Sequence, residues 1–259
     1  MSMEASILTF SEVERRRLRA NKAQLDQHWT TLTDILNINL GRRARATSID
    51  PEYQGTGVWT GLRGIDVERI DRNRGVASVV PLASFPGGLA AWLGYQEVWD
   101  LESGRFPFAF RQASLTVHVG EVGDPIKPQL LRLEWPGLRD WDRSGVGFQS
   151  PGAGHPHWQI DLFESLRDLH KRSAFNLESV EEVERFDDIF AAPTLSDRIA
   201  GLTFERMHLA SAASWWSNRP AEFGLHHLHA PLNQAELSRW VGAAIAYIRQ
   251  ELSRCVARR

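Results

Sequence analysis

The sequence predicts an α+β protein built on a mostly antiparallel central sheet. Three observations predict it. Apolar residues recur at helical spacing near both ends of the chain. Between the ends, from about 106 to 162, apolar and polar side chains alternate as they do in half-buried strands. No strand–helix–strand pattern repeats, as a parallel doubly wound sheet requires. Residues 1–259 read as a single domain: an N-terminal helical segment 1–41, a sheet region 76–212 with a helical insertion around 163–200, and a C-terminal helix 231–256. The helices at the two ends are expected to cover one sheet face.

The first helix is expected to begin near Ser11. Ser11 and Glu14 have the S-x-x-E spacing of a capping box, and Leu18, Leu25, Trp29, Leu32 and Leu36 form an apolar stripe. Arg15, Arg16, Arg17, Arg19 and Lys22 crowd its first turns. Cations there oppose the helix dipole, so they call for a partner or a nearby acidic face. Gly41 is the expected stop. His28 reads as a surface residue.

Residues 42–75 show no sustained period, and GTGVWTGLRG at 55–64 lacks the glycine spacing of a phosphate-cradling loop. Val76–Leu82 reads as a strand ending near Pro81. Leu89–Trp99 leaves a short helix and an aromatic loop both open. Phe106–Val119 and Gln129–Trp135 alternate and are joined by the turn-rich GEVGDPIKP, which predicts an antiparallel hairpin. In the first of these strands Phe108, Phe110, Gln112, Ser114, Thr116 and His118 share one parity, with Arg111 an exception on the other. In the second, Leu131, Leu133 and Trp135 oppose Leu130, Arg132 and Glu134.

Glycine-rich 136–154 reads as a loop, and His155–Leu162 is the most regular alternation in the chain. One or two helices are expected over 163–190, and a strand over Phe204–Ala212. The last helix follows Pro231, with Asn233 and Glu236 as its cap and Leu237, Val241, Ala244, Ile245, Ile248 and Leu252 as its buried stripe.

Composition narrows the function classes. Hydrophobic residues are 42% and charged residues 24%, as in an ordinary globular protein. A formal charge of −2 does not indicate nucleic acid as a partner, although 27 of the 30 basic residues are Arg, which suits phosphate and carboxylate recognition. Residues 1–75 hold 12 basic and 10 acidic side chains, and residues 163–200 hold 5 and 9. That contrast fits a protein partner or self-association. No apolar run is long enough for a transmembrane helix, and the first residues do not read as a signal peptide. The lone Cys255 has no partner for an internal disulfide, so a reducing, cytoplasmic setting is expected.

The candidate site comes from strand parity. If the apolar parities share a core, the opposite sheet face gathers His118, Arg132, Glu134, His155, His157, Gln159, Asp161 and His208. His155-x-His157 presents two imidazoles on one side of a strand. With His208 or Asp161 they form a candidate set of ligands for Zn²⁺ or another divalent metal, which would activate a water for hydrolysis of a phosphoester. Without a metal, Arg132 would hold an anion, with Glu134, His155 and His157 doing general acid–base work. Trp215, Trp216, Arg219 and His229 form a second candidate, a ligand or partner contact, with His226 and His227 beside them. Trp29, Trp135, Trp158 and Trp240 are expected in the core. Trp59, Trp92, Trp99, Trp141, Trp215 and Trp216 fall in loops or ambiguous segments. The expected function is hydrolysis of a phosphoester or nucleic-acid-like substrate. The alternative is a non-catalytic subunit of a larger bacterial complex for nucleic-acid processing or defence.

Overall fold

The computed structural model describes residues 17–41, 47–72, 75–136, 156–162, 164–167, 193–209 and 231–255. Their elements are β1 (Arg19–Ala20), α1 (Lys22–Leu40), β2 (Ser48–Gln54), β3 (Gly57–Arg63), β4 (Glu68–Arg72), β5 (Gly75–Ser84), β6 (Leu89–Leu101), β7 (Phe108–Glu121), β8 (Gln129–Pro136), β9 (His157–Ile160), α2 (Leu195–Ala200) and α3 (Gln234–Leu252). All strand pairings are antiparallel, and the sheet runs β2-β3-β6-β7-β8-β9. One edge of β6 is shared. Its residues 98–100 pair with β3, and its residues 90–94 pair with β5, which β4 follows outward. The α+β class and the antiparallel sheet match the sequence expectation.

Helix α1 starts at Lys22, eleven residues beyond Ser11. Asn21 accepts the Gln24 N–H at 2.9 Å, and Gln24 Oε1 accepts the Asn21 N–H at 3.0 Å, which is a complete capping box. Leu18 lies outside the helix, and its carbonyl accepts the Phe110 N–H at 2.9 Å. Ser11 and Glu14 lie outside the described residues. Gly41 ends the helix at φ 65°, as its position predicts. At the other end of the chain, Asn233 caps α3 through the Glu236 N–H at 3.0 Å, and all six residues of the expected stripe are buried.

The stripes of α1 and α3 join one hydrophobic cluster with Leu89, Leu93, Tyr95 and Trp99 of β6, Leu115 and Val117 of β7, and Leu133 and Trp135 of β8. Trp135 packs 5.5 Å from Trp240 between ring centroids. The opposite parity of β6 feeds a smaller cluster, Ile70, Val79, Ala90 and Trp92. Strand β6 is thus packed on both sides, and Trp92 and Trp99 are core residues rather than loop residues. A strand buried on both faces loses the alternation that identifies one.

Two bulges re-aim side chains. The β6–β7 register shifts between Val98 and Trp99, where Arg111 is the extra residue. Phe108 and Phe110 therefore join the core alongside Ala113 and Leu115, although their parity in the sequence puts them with the polar set. The β7–β8 register shifts between Val117 and His118, and Leu130 turns inward beside Leu131. Residues 48–72, without a readable period, form three strands. The segment expected to be a strand from Phe204 instead begins with a single 3-10 turn, Phe204–Arg206. No helix among the described residues is long and apolar enough to cross a membrane.

Candidate functional site

The polar sheet face is built by register. Glu134 pairs with His157 and Arg132 with Gln159 across β8 and β9. Ser114 and Thr116 of β7 pair with Glu134 and Arg132, and Gln96 and Gly94 of β6 continue those two rows. Parity thus brings Arg132, Glu134, His157 and Gln159 together, with His118 on the same face. Arg132 Nη1 donates to Glu134 Oε1 at 2.8 Å, and its Nη2 donates to Gln159 Oε1. The guanidinium is therefore held from its own strand by Glu134 and from β9 by Gln159. Burial pushes the half-buried His157 imidazole below its ordinary pKa. Glu134 pulls it back up, and Arg132 pushes it further down.

His118 is enclosed. Its Nδ1 lies 3.1 Å from the Lys127 carbonyl and its Nε2 3.1 Å from Thr116 Oγ1, so both ring nitrogens have partners within the fold. A Cβ at Gly94 would stand 2.5 Å from Thr116 Oγ1, so only glycine leaves room for that hydroxyl. The Lys127 ammonium is roofed over Trp92 at 4.4 Å, with Glu68 Oε2 at 2.8 Å and the Glu121 carbonyl at 2.6 Å. This end of the face is closed by its own side chains.

Asp161 follows β9 at the parity of His157 and Gln159, and its Oδ2 accepts from Gln129 Nε2 at 2.5 Å, beside the His118–Gln129 pair. Other candidate residues lie elsewhere. His208 is anchored to α3: its N–H donates to Glu251 Oε2 at 2.7 Å, and its carbonyl accepts from Tyr247 Oη. Tyr247 in turn packs against Trp158, the neighbour of His157 whose side chain takes the opposite parity. His208 thus stands on the α3 side of the sheet, away from His157. His155, Trp215, Trp216, Arg219, His226, His227 and His229 lie outside the described residues. Among the described residues no three His, Cys, Asp or Glu side chains converge as a metal-binding group. Cys255 is buried, and burial first, then Glu251 and Glu205, push its thiol up to about 11.

A more elaborate polar cluster escaped the sequence reading. Glu97 of β6 is fully enclosed, and four side chains donate to it. His28 Nε2 and Tyr95 Oη lie 2.8 and 2.5 Å from Oε1. Trp29 Nε1 and Trp99 Nε1 lie 3.1 and 2.9 Å from Oε2. His28, expected on the surface, is buried here because it stands three residues after Leu25 on the inward stripe of α1. The available signal was a carboxylate at the core parity of β6, between Tyr95 and Trp99. A second cluster joins Arg17 to Asp100 and Glu102, with Arg111 also on Asp100 at 2.5 Å. Arg17 and Arg19 thus meet an acidic face inside their own chain.

The chain matches no protein-family model, no curated protein and no solved structure.

Proposed function

We propose that the β8–β9 end of the polar face binds the anionic group of a phosphoester and hydrolyses it, with His157 as general base. One observation carries the reading: the cross-strand register that sets His157 against Glu134 beside the Arg132–Gln159 pair. Arg132 keeps N–H groups beyond those used on Glu134 and Gln159, and these would receive the phosphoryl oxygens and offset charge as it builds. His157, held below its ordinary pKa, is neutral near pH 7 and takes a proton from the attacking water. An O–P bond forms from that water, the ester O–P bond breaks, and the alkoxide leaves with a proton from solvent. Glu134 orients the imidazole and supports its charged form. In a metal-assisted version, His157 and Glu134 are the described residues that would contribute ligands, and the ion would acidify the same water.

The rest of the reading is a cytoplasmic protein whose two long helices cover the opposite sheet face. A non-catalytic subunit is the weaker alternative, because the charge of Arg17 and Arg19 is spent on Asp100 and Glu102. The test is hydrolysis of p-nitrophenyl phosphate and bis-(p-nitrophenyl) phosphate, with and without a chelator. His157→Ala is expected to lower the rate about 100-fold or more. An inactive parent protein, or a His157→Ala variant as fast as the parent, overturns the proposal.

A further inference from the structure

The row that contains His157 and Glu134 continues through Ser114 to Gln96. On the far edge of β6, Val58 pairs with Trp99 and Trp59 with Val98. The Glu97 N–H donates to Thr60 Oγ1 at 2.7 Å, and Gly61 follows on β3 at the parity of Trp59. The paired row thus crosses four strands, three spacings of about 4.8 Å each, or roughly 14 Å, and β3 lies beyond it. Gln96 is exposed, although it sits on the central strand, and Ser114 and Gly61 are half-exposed. Among the described residues, no atom beyond Gly61 and its chain neighbours lies within 4 Å of where a Gly61 Cβ would be, so a notch opens there.

Beside the notch lies Trp59. A Cβ at Gly57 would meet its Cη2 and Cζ3 at 2.8 Å, so the outer edge of the indole lies against bare glycine backbone. The side chain remains half-exposed. An indole held this way is a stacking platform for another ring.

Charge along the row selects the ligand. Arg132 stands at one end beside Glu134 and His157, with the N–H groups that Glu134 and Gln159 leave over. Ser114 and Gln96 in the middle are neutral hydrogen-bonding groups. Across from Trp59 and Gly61 on β2 stand Glu52 and Asp50. Arg63 reaches both, at 4.0 and 3.0 Å, and the trio keeps a net charge of −1. A polyanion such as nucleic acid would carry phosphates into that acidic end, whereas single-strand grooves are positively charged throughout. A ligand charged at one end and built of neutral polar rings beyond it fits both ends.

We propose that this face takes a phosphorylated oligosaccharide, with its phosphoester at Arg132 and His157 and a sugar ring stacked on Trp59. The proposal rests on the phosphoester site described above and adds the class of substrate. Its test is calorimetric titration of the full chain with maltotetraose, cellotetraose and chitotetraose, each bearing one terminal phosphate. At least one is expected to bind, and at least ten-fold more tightly than its unphosphorylated form. Trp59→Ala and, separately, Gly61→Ile are expected to weaken it ten-fold or more. Gly61→Ile fills open space on a strand, so it blocks the notch without disturbing packing. If none of the three binds while p-nitrophenyl phosphate is still hydrolysed, the proposal falls and the phosphoester site stands. Equal binding of a thymidine tetranucleotide, or unchanged affinity in both variants, also overturns it.

Discussion

His28 of α1 and Glu97 of β6 meet at 2.8 Å with both side chains enclosed, and this contact ties the helix to the sheet. Trp29, the next residue of α1, donates to the other carboxylate oxygen. One buried acid thus receives two bonds from the helix and two from its own strand. Removing it leaves four buried donors facing one another. Glu97→Ala is expected to cost about 3–5 kcal/mol, the usual range for breaking a buried ion pair from one side. Glu97→Gln keeps one acceptor oxygen and should cost less, yet still measurably. Urea denaturation measures both, and a Glu97→Gln protein as stable as the parent would remove this role.

The same carboxylate gives stability a pH dependence. Burial pushes Glu97 upward, but the charge of His28 and the bonds from His28, Tyr95 and Trp99 outweigh burial. The net result is a pKa below the ordinary carboxylate value. A group whose folded value is lowered contributes stability that is present above the unfolded value, near 4.3 for Glu. That contribution is lost as pH falls through the folded value. The stability gap between the parent and Glu97→Gln should therefore close as pH falls from about 5 to below about 4. Thermal melts across that range read it directly. A gap that widens on acidification contradicts the stated direction.

Arg17 and Asp100 form the second buried tie. Arg17 Nε donates to the Phe110 carbonyl at 3.0 Å, and its Nη1 to Glu102 at 2.7 Å. Its side chain is 2% exposed and that of Asp100 4%. Arg17→Met takes from the buried Asp100 one of its ion-pair partners and is expected to cost about 3 kcal/mol. In the Arg17→Met/Asp100→Asn double variant part of that loss should be recovered, because the buried Asp100 charge goes together with its Arg17 partner, while the more exposed Arg111 and Glu102 lose one partner each. Strict additivity of the two single losses in a double-mutant cycle would show that the pair is uncoupled.

What was legible in the sequence follows from which faces meet water. Helix α3 shows its stripe because its outer side is polar. Strands β7 and β8 reveal the polar face because they alternate, and parity puts Glu134 and His157 on that face, but their pairing is a matter of register, which alternation does not carry. Strand β6 hides itself because Trp92 packs on one side and Tyr95 and Trp99 on the other. The bulges at Arg111 and Leu130 add one residue each and reverse the parity of what lies beyond, a change no fixed period can carry. His208 was grouped with His157 by assuming a strand. With a 3-10 turn at Phe204–Arg206 and anchorage on α3, that parity argument does not apply.

The titration of His157 tests the site without any substrate. Burial is the largest influence and lowers its pKa; Glu134 raises it and Arg132 lowers it. In the parent protein the imidazole should therefore titrate below the ordinary value of about 6.5. Glu134→Gln removes the raising influence, so the midpoint should fall further. Arg132→Met removes a lowering one, so the midpoint should rise. Proton NMR of the His157 ring follows all three midpoints. If the imidazole acts as general base, the acid limb of the pH–rate profile must move in the same order, since it reports the fraction of neutral His157. Midpoints that shift in opposite senses to these, or a rate profile that ignores them, would separate His157 from the chemistry assigned to it.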